Sequence, residues 1–259
     1  MLDPHKKPWP YQKVNTAHPL AKGLVGCFLF NERSGNIAND SSRNLNTGTI
    51  TGANWDGGTL KFNGTTTYVI TPHNQFDKDI GTFISSFSHD VASSDATLRW
   101  LFDSDGTRHS IWRDTAGVTH RINSYVDGRG GIFNIPDYGA NSWHHIAFMW
   151  NKHADTLNCY WDGVEIPETP LGSFATTALG TNLHLGARYT NNNLWNGAIE
   201  YIFLYNRELT GSEVQTLKIN PYQMLEPVFN EVLFGYVAPV AGGLSIPIAY
   251  HHYRQLHGN

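Results

Sequence analysis

The stretch "LHLGARYTNNNLWNGAIEYIFLYNRELTGSEV", Leu183 to Val214, decides how this chain is read. Leu183 and Leu185 alternate with Asn182 and His184, the period-2 pattern of a strand with one wet face, and Ile199 to Tyr205 is a second, more apolar strand. Between them runs Asn191-Asn192-Asn193. Asparagine tolerates left-handed backbone angles, so this is turn chemistry. The stretch then enters "LTGSEVQTL", where Thr210 caps a short helix, Glu213 three residues later completes a capping box, and Val214 with Leu217 offers an apolar stripe. A helix this short holds by docking on a larger surface. The pattern is the closing segment of a β domain.

Composition agrees with that reading. The 259 residues are 40% hydrophobic and 13% aromatic, enough to bury a full core in one main domain. Only 15% are charged, while Gly, Asn, Thr and Ser abound, which suits many short strands joined by turns. A formal net charge of −4 without a Lys/Arg run argues against a nucleic-acid partner. Cys27 in "GLVGCFLF" and Cys159 in "LNCYW" sit in apolar runs and read as buried thiols, a single bridge between neighbouring strands being the alternative. The first residues, "MLDPHKKPWPYQKVNTAHPL", lack the apolar core of a secretory signal, so export by that route is not expected.

Working outward, strand patterns recur from Leu20 to about Leu217. "GLVGCFLFN" puts Val25, Cys27 and Leu29 on one face and Leu24, Phe28 and Phe30 on the other, a strand covered on both sides. "ERSGNIANDSSRNLNTGTITGANW" reads as one long loop. Further strands are expected at "LKFNG", "TYVIT", "GTFISSFSH", "LRWLFDS", "HSIWRD", "THRINSYV", "HHIAFMWN", "LNCYWDGVEI", "NLHLGAR" and "AIEYIFLYN", with Asp162-Gly163 as a two-residue hairpin turn. No long helical pattern alternates with them, so two antiparallel sheets packed face to face are expected.

The chain ends differ from this middle. Residues 1–18, with Pro4, Pro8 and Pro10, read as an extended arm; 19–219 is the domain; 220–259 is an apolar arm. Val232 to Tyr250 is uncharged and long enough to span a membrane, yet Pro239, Gly242, Gly243 and Pro247 interrupt it. It reads as a segment that buries itself against a partner, with Phe234, Tyr236, Ile246, Ile248 and Tyr250 as assembly residues.

Three stretches in this order, "GLVGCFLFNERSGNIANDSSRNLNTGTI", "NSWHHIAFMWN" followed by "LNCYWDGVEI", and the closing stretch, resemble the laminin G-like members of the concanavalin A-like jelly-roll superfamily. The resemblance implies an all-β fold: a jelly-roll β-sandwich of two antiparallel sheets with one short C-terminal helix and extended terminal arms. It also implies carbohydrate binding. Arg188, Tyr189, Asn191, Asn192 and Trp195 lie close together, and amides, a guanidinium and aromatic faces are what sugar hydroxyls and rings engage; a plain turn is the competing reading. Trp112 and Tyr125, with Trp195, could line a platform or fill the core. Relatives often hold one Ca²⁺ where the loop after the first strand meets a strand near the C-terminus. The matching positions here are Glu32 and Glu200, with Gly35 and Asp40 nearby; solvated carboxylates are the alternative.

Sugar-cleaving relatives set carboxylates at alternate positions of one strand. No Glu-x-Asp-x-x-Glu or Glu-x-Asp-x-Glu run occurs here, nor the Arg-rich strand and Gln-x-His of the alginate-lyase relatives. His144 and His145 are adjacent and must point to opposite faces of a strand. The expectation is therefore a protein that is not an enzyme, with a polysaccharide hydrolase or lyase as the alternative. The overall plan resembles virion-associated proteins of tailed bacteriophages. That resemblance implies a structural and adhesive component decorating a capsid or tail, made in the host cytoplasm, with other virion proteins, further copies of itself and cell-surface glycans as partners and no membrane span. A free carbohydrate-binding lectin is the alternative class.

Overall fold

The structure, a computed structural model, describes residues 7–226 apart from 53, 73–74, 106–108, 117–118, 177–179 and the side chains of 115–116. Along the chain run β1 (Leu24–Phe28), β2 (Ile37–Ala38), β3 (Gly48–Thr51), β4 (Trp55–Asp56), β5 (Thr59–Asn63), β6 (Tyr68–Pro72), β7 (Ile80–Ser88), β8 (Arg99–Ser104) and β9 (His109–Ala116). There follow β10 (Thr119–Val126), β11 (Arg129–Asn134), β12 (Trp143–Asn151), β13 (Thr156–Trp161), β14 (Val164–Ile166), β15 (Glu168–Leu171), β16 (Asn182–Leu185), β17 (Asn196–Tyr205) and the helix α1 (Gly211–Ile219).

Antiparallel pairing gathers the strands into two sheets. The eight-stranded sheet runs β14-β13-β12-β7-β17-β5-β4, with β1 also paired to β17; the nine-stranded sheet runs β15-β11-β10-β9-β8-β16-β6-β3-β2. Between them lies the main core, with Phe62, Phe83, Phe87, Phe102, Phe133, Phe148 and Trp150 at its centre. Each such side chain taken from water stabilises the sandwich by roughly 1.5–3 kcal/mol. The fold class expected from the sequence is the one observed.

A second core covers the other face of the eight-stranded sheet. Along β17, Ile202 and Leu204 point into the sandwich, whereas Tyr201, Phe203 and Tyr205 join Ile84 and Met149 on the opposite side. Over them dock Val214 and Leu217 of α1, then Tyr222, Met224 and Leu225, and from the N-terminal side Val14 and Leu20. The two chain segments pair there: Asn15 N donates to Met224 O (2.8 Å) and Glu226 N to Lys13 O (2.8 Å). The capping box is formed, Glu213 N donating to Thr210 Oγ1 (3.2 Å) and Thr210 N to Glu213 Oε2 (2.8 Å). The consequence is positional. One sheet has its outer face sealed by the terminal segments, while the nine-stranded sheet keeps partly exposed side chains, Trp112, Arg121 and Tyr125, on its own.

Asp162 (φ 50°) and Gly163 (φ 81°) make the expected turn between β13 and β14. Both cysteines are free, Cys27 in the outer core and Cys159 in the main one. The loop expected after β1 needs correction: β2 and β3 lie within it, and Gly48–Thr51 alternates buried and exposed although threonine and glycine give it no apolar rhythm. β11, "RGGIFN", was not expected as a strand, because its glycines mask the pattern. No helix among the described residues is long and apolar enough to cross a membrane. Phe234, Tyr236, Ile246, Ile248 and Tyr250 lie outside the described residues.

Candidate functional site

The outer face of the nine-stranded sheet owes its aromatic surface to one irregularity. In "LRWLFDS" strict alternation would put Trp100 and Phe102 on the same face. A bulge between them breaks the rhythm: Leu101 and Phe102 both enter the main core, each 1% exposed, and Trp100 turns outward. There it stands opposite Trp112 of β9, and the two indoles stack with centroids 5.2 Å apart and planes 10° apart. The register continues this surface across the sheet, with Asn123 beside Trp112 and Tyr125 beside Ser110. Trp100, Ser110, Trp112, Tyr125 and Arg188 line a groove of about 200 Å³.

Arg188 reaches the groove from the Asn-rich loop. The chain leaves β16 through Gly186 at φ 70° and turns on itself, Asn191 N donating to Arg188 O (2.7 Å) and Arg188 N to Asn192 O (3.1 Å). Asn191 (φ 56°) and Asn193 (φ 50°) supply the left-handed angles. Asp103 fastens the loop to the sheet, accepting from Tyr189 N (3.0 Å), Ser104 N (2.9 Å) and the Ser110 hydroxyl. Burial pushes its carboxyl up to about 6, against the pull of those hydrogen bonds. His184 lies between Asp105 Oδ1 (2.8 Å) and Asn191 Oδ1 (3.0 Å) and steadies the turn from the other side. The guanidinium of Arg188 rests against Trp100 (5.6 Å) and Tyr189 (5.5 Å).

The predicted sugar-contacting residues therefore divide. Arg188 and Tyr189 join Trp112 and Tyr125 at one surface. Asn191 and Asn192 are exposed, and their side chains serve the turn, meeting His184 and Thr190. Trp195 is corrected outright. It is 0% exposed, donates its indole N–H to Ser88 O (3.1 Å) and packs edge-on to Phe87 (5.0 Å) and His89 (4.7 Å), so no sugar can stack on it. The tryptophan beside Arg188 is instead Trp100, 8% exposed, which alternation alone assigns to the core and which lines the groove behind Trp112. His144 and His145 do point to opposite faces, His144 stacking on Trp161 (4.6 Å) and His145 lying beside Tyr201 (6.4 Å). A larger cavity, about 400 Å³, borders the N-terminal segment near Val14, Lys22 and Arg43, and among the described residues no aromatic side chain lines it.

The residues matched to calcium do not fit such an ion. Asp40 has its oxygens taken by donors, Cys27 N, Ser42 N, Asn46 N and the Ser42 hydroxyl, each at 2.8 Å, and works as a clasp for the loop after β1. Glu32 accepts from Asn39 N (2.7 Å), and the Gly35 carbonyl accepts from the Trp55 indole (3.0 Å). Glu200 accepts from the hydroxyls of Ser86 (2.8 Å) and Tyr222 (2.6 Å), while the Lys7 ammonium donates to the Glu200 carbonyl. Lys7 is thus an internal cation among these groups. Burial lowers it to about 8, although Glu200 and Glu32 both pull upward. Among the described residues no group of three or more His, Cys, Asp or Glu is placed to hold a metal.

Residues 63–215 match the laminin G type of the concanavalin A-like lectin/glucanases superfamily. The chain belongs to this family. No curated protein matches its sequence. Among solved structures, this laminin G-type chain is similar to Trypanosoma rangeli sialidase in complex with sialic acid, at a TM-score of 0.61 and 17% identity over 78% of the chain. It is similar too to botulinum neurotoxin type C, whose cell entry is dependent upon interaction with two ganglioside molecules (TM-score 0.60, 12% identity, 77% of the chain). At such identities the likeness is one of fold. The match spans 34% of the sialidase chain and 51% of the neurotoxin chain. The expectation of a protein that is not an enzyme is overturned here: solved structures sharing the fold include sialidases, one of them a mutant displaying trans-sialidase activity, so a missing glucanase carboxylate run excludes nothing.

Proposed function

We propose that this laminin G-type domain binds glycans on the outer face of its nine-stranded sheet, with the partly exposed Trp112 and Tyr125 as the platform, the buried Trp100 as the wall that supports Trp112, and Ser110 and Arg188 as polar contacts. The groove beside the parallel Trp100–Trp112 pair carries the proposal, since it lies on the sheet whose outer face is not the one that residues 14–20 and 209–225 cover. Sugar rings present apolar C–H faces to aromatic rings and hydroxyls to convergent polar groups, and sites of this kind are shallow, aromatic and sparsely polar. The sialic acid of the sialidase complex and the gangliosides named with the neurotoxin support a glycan ligand.

The test is a glycan array followed by calorimetry on the full chain. Binding that disappears in Trp112→Ala with an unchanged melting temperature is expected; a wild-type protein that retains no glycan from the array overturns the proposal. The same samples, incubated with sialosides and a polysaccharide panel, report hydrolysis as free sialic acid or new reducing ends. Appearance of product would make the groove, or a site near it, catalytic. We further propose, from the sequence of residues 227–259, that this segment fastens the domain to a larger particle. Deleting it and measuring co-sedimentation with that particle tests the attachment independently of sugar binding.

A further inference from the structure

Resting on the glycan reading, the structure assigns the groove a narrower ligand class: a sugar residue bearing a carboxylate, recognised by Arg188. The reason is a charge without a partner. Among the described residues the other arginines that are not exposed each have a carboxylate within 4.0 Å: Arg113 meets Asp95, Arg121 meets Asp114, Arg129 meets Glu168 and Arg207 meets Glu213, while Arg99 stands 4.0 Å from Asp95 with its own Nε unbonded and donates to the Gly64 and Leu194 carbonyls. Arg33 and Arg43 are exposed to water. Arg188 is half-buried, its Nε has neither solvent nor a hydrogen-bond partner, its guanidinium lies against the Trp100 and Tyr189 rings, and no salt bridge to a carboxylate is formed among the described residues. A guanidinium that lines a groove without an anion beside it is open to one, and a carboxylate is the anion whose two oxygens match its planar fork.

The neighbouring acids do not supply that anion. Asp103 spends its oxygens on Ser110, Ser104 and the Tyr189 amide, and Asp105 is engaged by His184, Thr181 and Asn182. Asp114 is closed in a two-point pair with Arg121. An acidic sugar stacked on Trp112 would set its carboxylate against Arg188, which lines the same groove.

A carboxylated sugar can be a hexuronic acid or a sialic acid, and the experiment separates them. Calorimetry of the full chain with oligogalacturonate, with sialyllactose and with the carboxyl-reduced form of each reads the preference directly on the wild-type protein. Loss of the carboxylate is expected to weaken binding by about tenfold or more for the acid that fits, the scale of one charge-assisted hydrogen bond. Arg188→Gln is expected to bind the acidic and reduced forms alike, and Arg188→Lys to keep only part of the preference. Equal binding of acidic and reduced sugars by the wild type, together with loss in Trp112→Ala, overturns the carboxylate assignment and leaves glycan binding standing. A preference that persists in Arg188→Gln also overturns it. Absence of any binding to acidic and neutral sugars removes both proposals together.

Discussion

Trp100 of β8 and Trp112 of β9 lie parallel on paired strands, ring centroids 5.2 Å apart, and Trp195 lies on the opposite side of that sheet's core with no exposure. The same residue type thus has two different jobs here. Trp195→Ala is expected to cost about 3–5 kcal/mol, as buried aromatic truncations do, and to abolish binding only through unfolding. Trp112→Ala is expected to cost far less stability and to remove binding from a folded protein. Urea unfolding followed by tryptophan fluorescence, beside the array, would show the split; a Trp195→Ala variant with wild-type stability would contradict the burial argument.

Acid should unfold the domain through its buried histidines. His89, His109 and His145 are each held down to about 4 by burial, His89 with the added push of Arg113. Between that value and the ordinary one near 6.5 the unfolded chain takes up protons that the folded chain refuses, so stability falls as pH drops through this window. Asp103 has the opposite sign, since its carboxyl, raised to about 6, holds a proton more tightly in the folded state than in the unfolded one. Three groups outweigh one. A melting-temperature series from pH 7 to 4 should descend, and His109→Gln should make it shallower; a flat series would refute this account.

The Lys7 clasp predicts behaviour on the alkaline side. Its ammonium is lowered to about 8 in the folded state from an ordinary 10.5. Across that interval the folded chain binds fewer protons than the unfolded one, so this group alone adds stability as pH rises. Subtracting the Lys7→Met series from the wild-type series should isolate that rise, whatever other lysines and tyrosines do. Chelation or added Ca²⁺ should leave the wild-type melting temperature unchanged; a rise of several degrees with Ca²⁺ would show that the Glu200 cluster takes a metal after all.

Gly186 sets the direction of the Arg188 loop. It sits at φ +70°, and a Cβ built there would run into the Phe62 ring. Gly186→Ala combines a left-handed backbone with overpacking and is expected to cost about 2 kcal/mol or more. Because the loop would be displaced along with the guanidinium, glycan affinity should fall in the same variant even below its melting temperature.

Much of the fold was legible because its cause is local and periodic. Alternation along Ile122–Val126 and Leu183–Leu185, the Asp162-Gly163 turn and the Thr210–Glu213 box each need only neighbouring residues, and each element stands where its pattern places it, although the face expected to be wet is buried at Asn123 and His184 by neighbouring side chains. β11 and the β2–β3 pair were illegible for a related reason. Their strand character comes from hydrogen bonds to partners, and glycine or threonine side chains leave no trace of it. Arg188 and Tyr189 could be picked out as a polar and aromatic pair on a turn; that Trp100 and not Trp195 completes their surface could not.

The sequence by itself determined the class of fold, its closing helix and the turn that carries Arg188, since side-chain periodicity and capping act over a few residues. Only the tertiary structure decided which tryptophan leaves the main core to line the groove, through a bulge that resets alternation by one residue, and which buried polar atoms lack a partner, through side chains far apart in sequence. It also decided which sheet face the described terminal segments cover, because residues 14–20 and 209–225 meet over one of the two. Such facts depend on which surfaces come together, and pairing across long separations leaves no period in the chain.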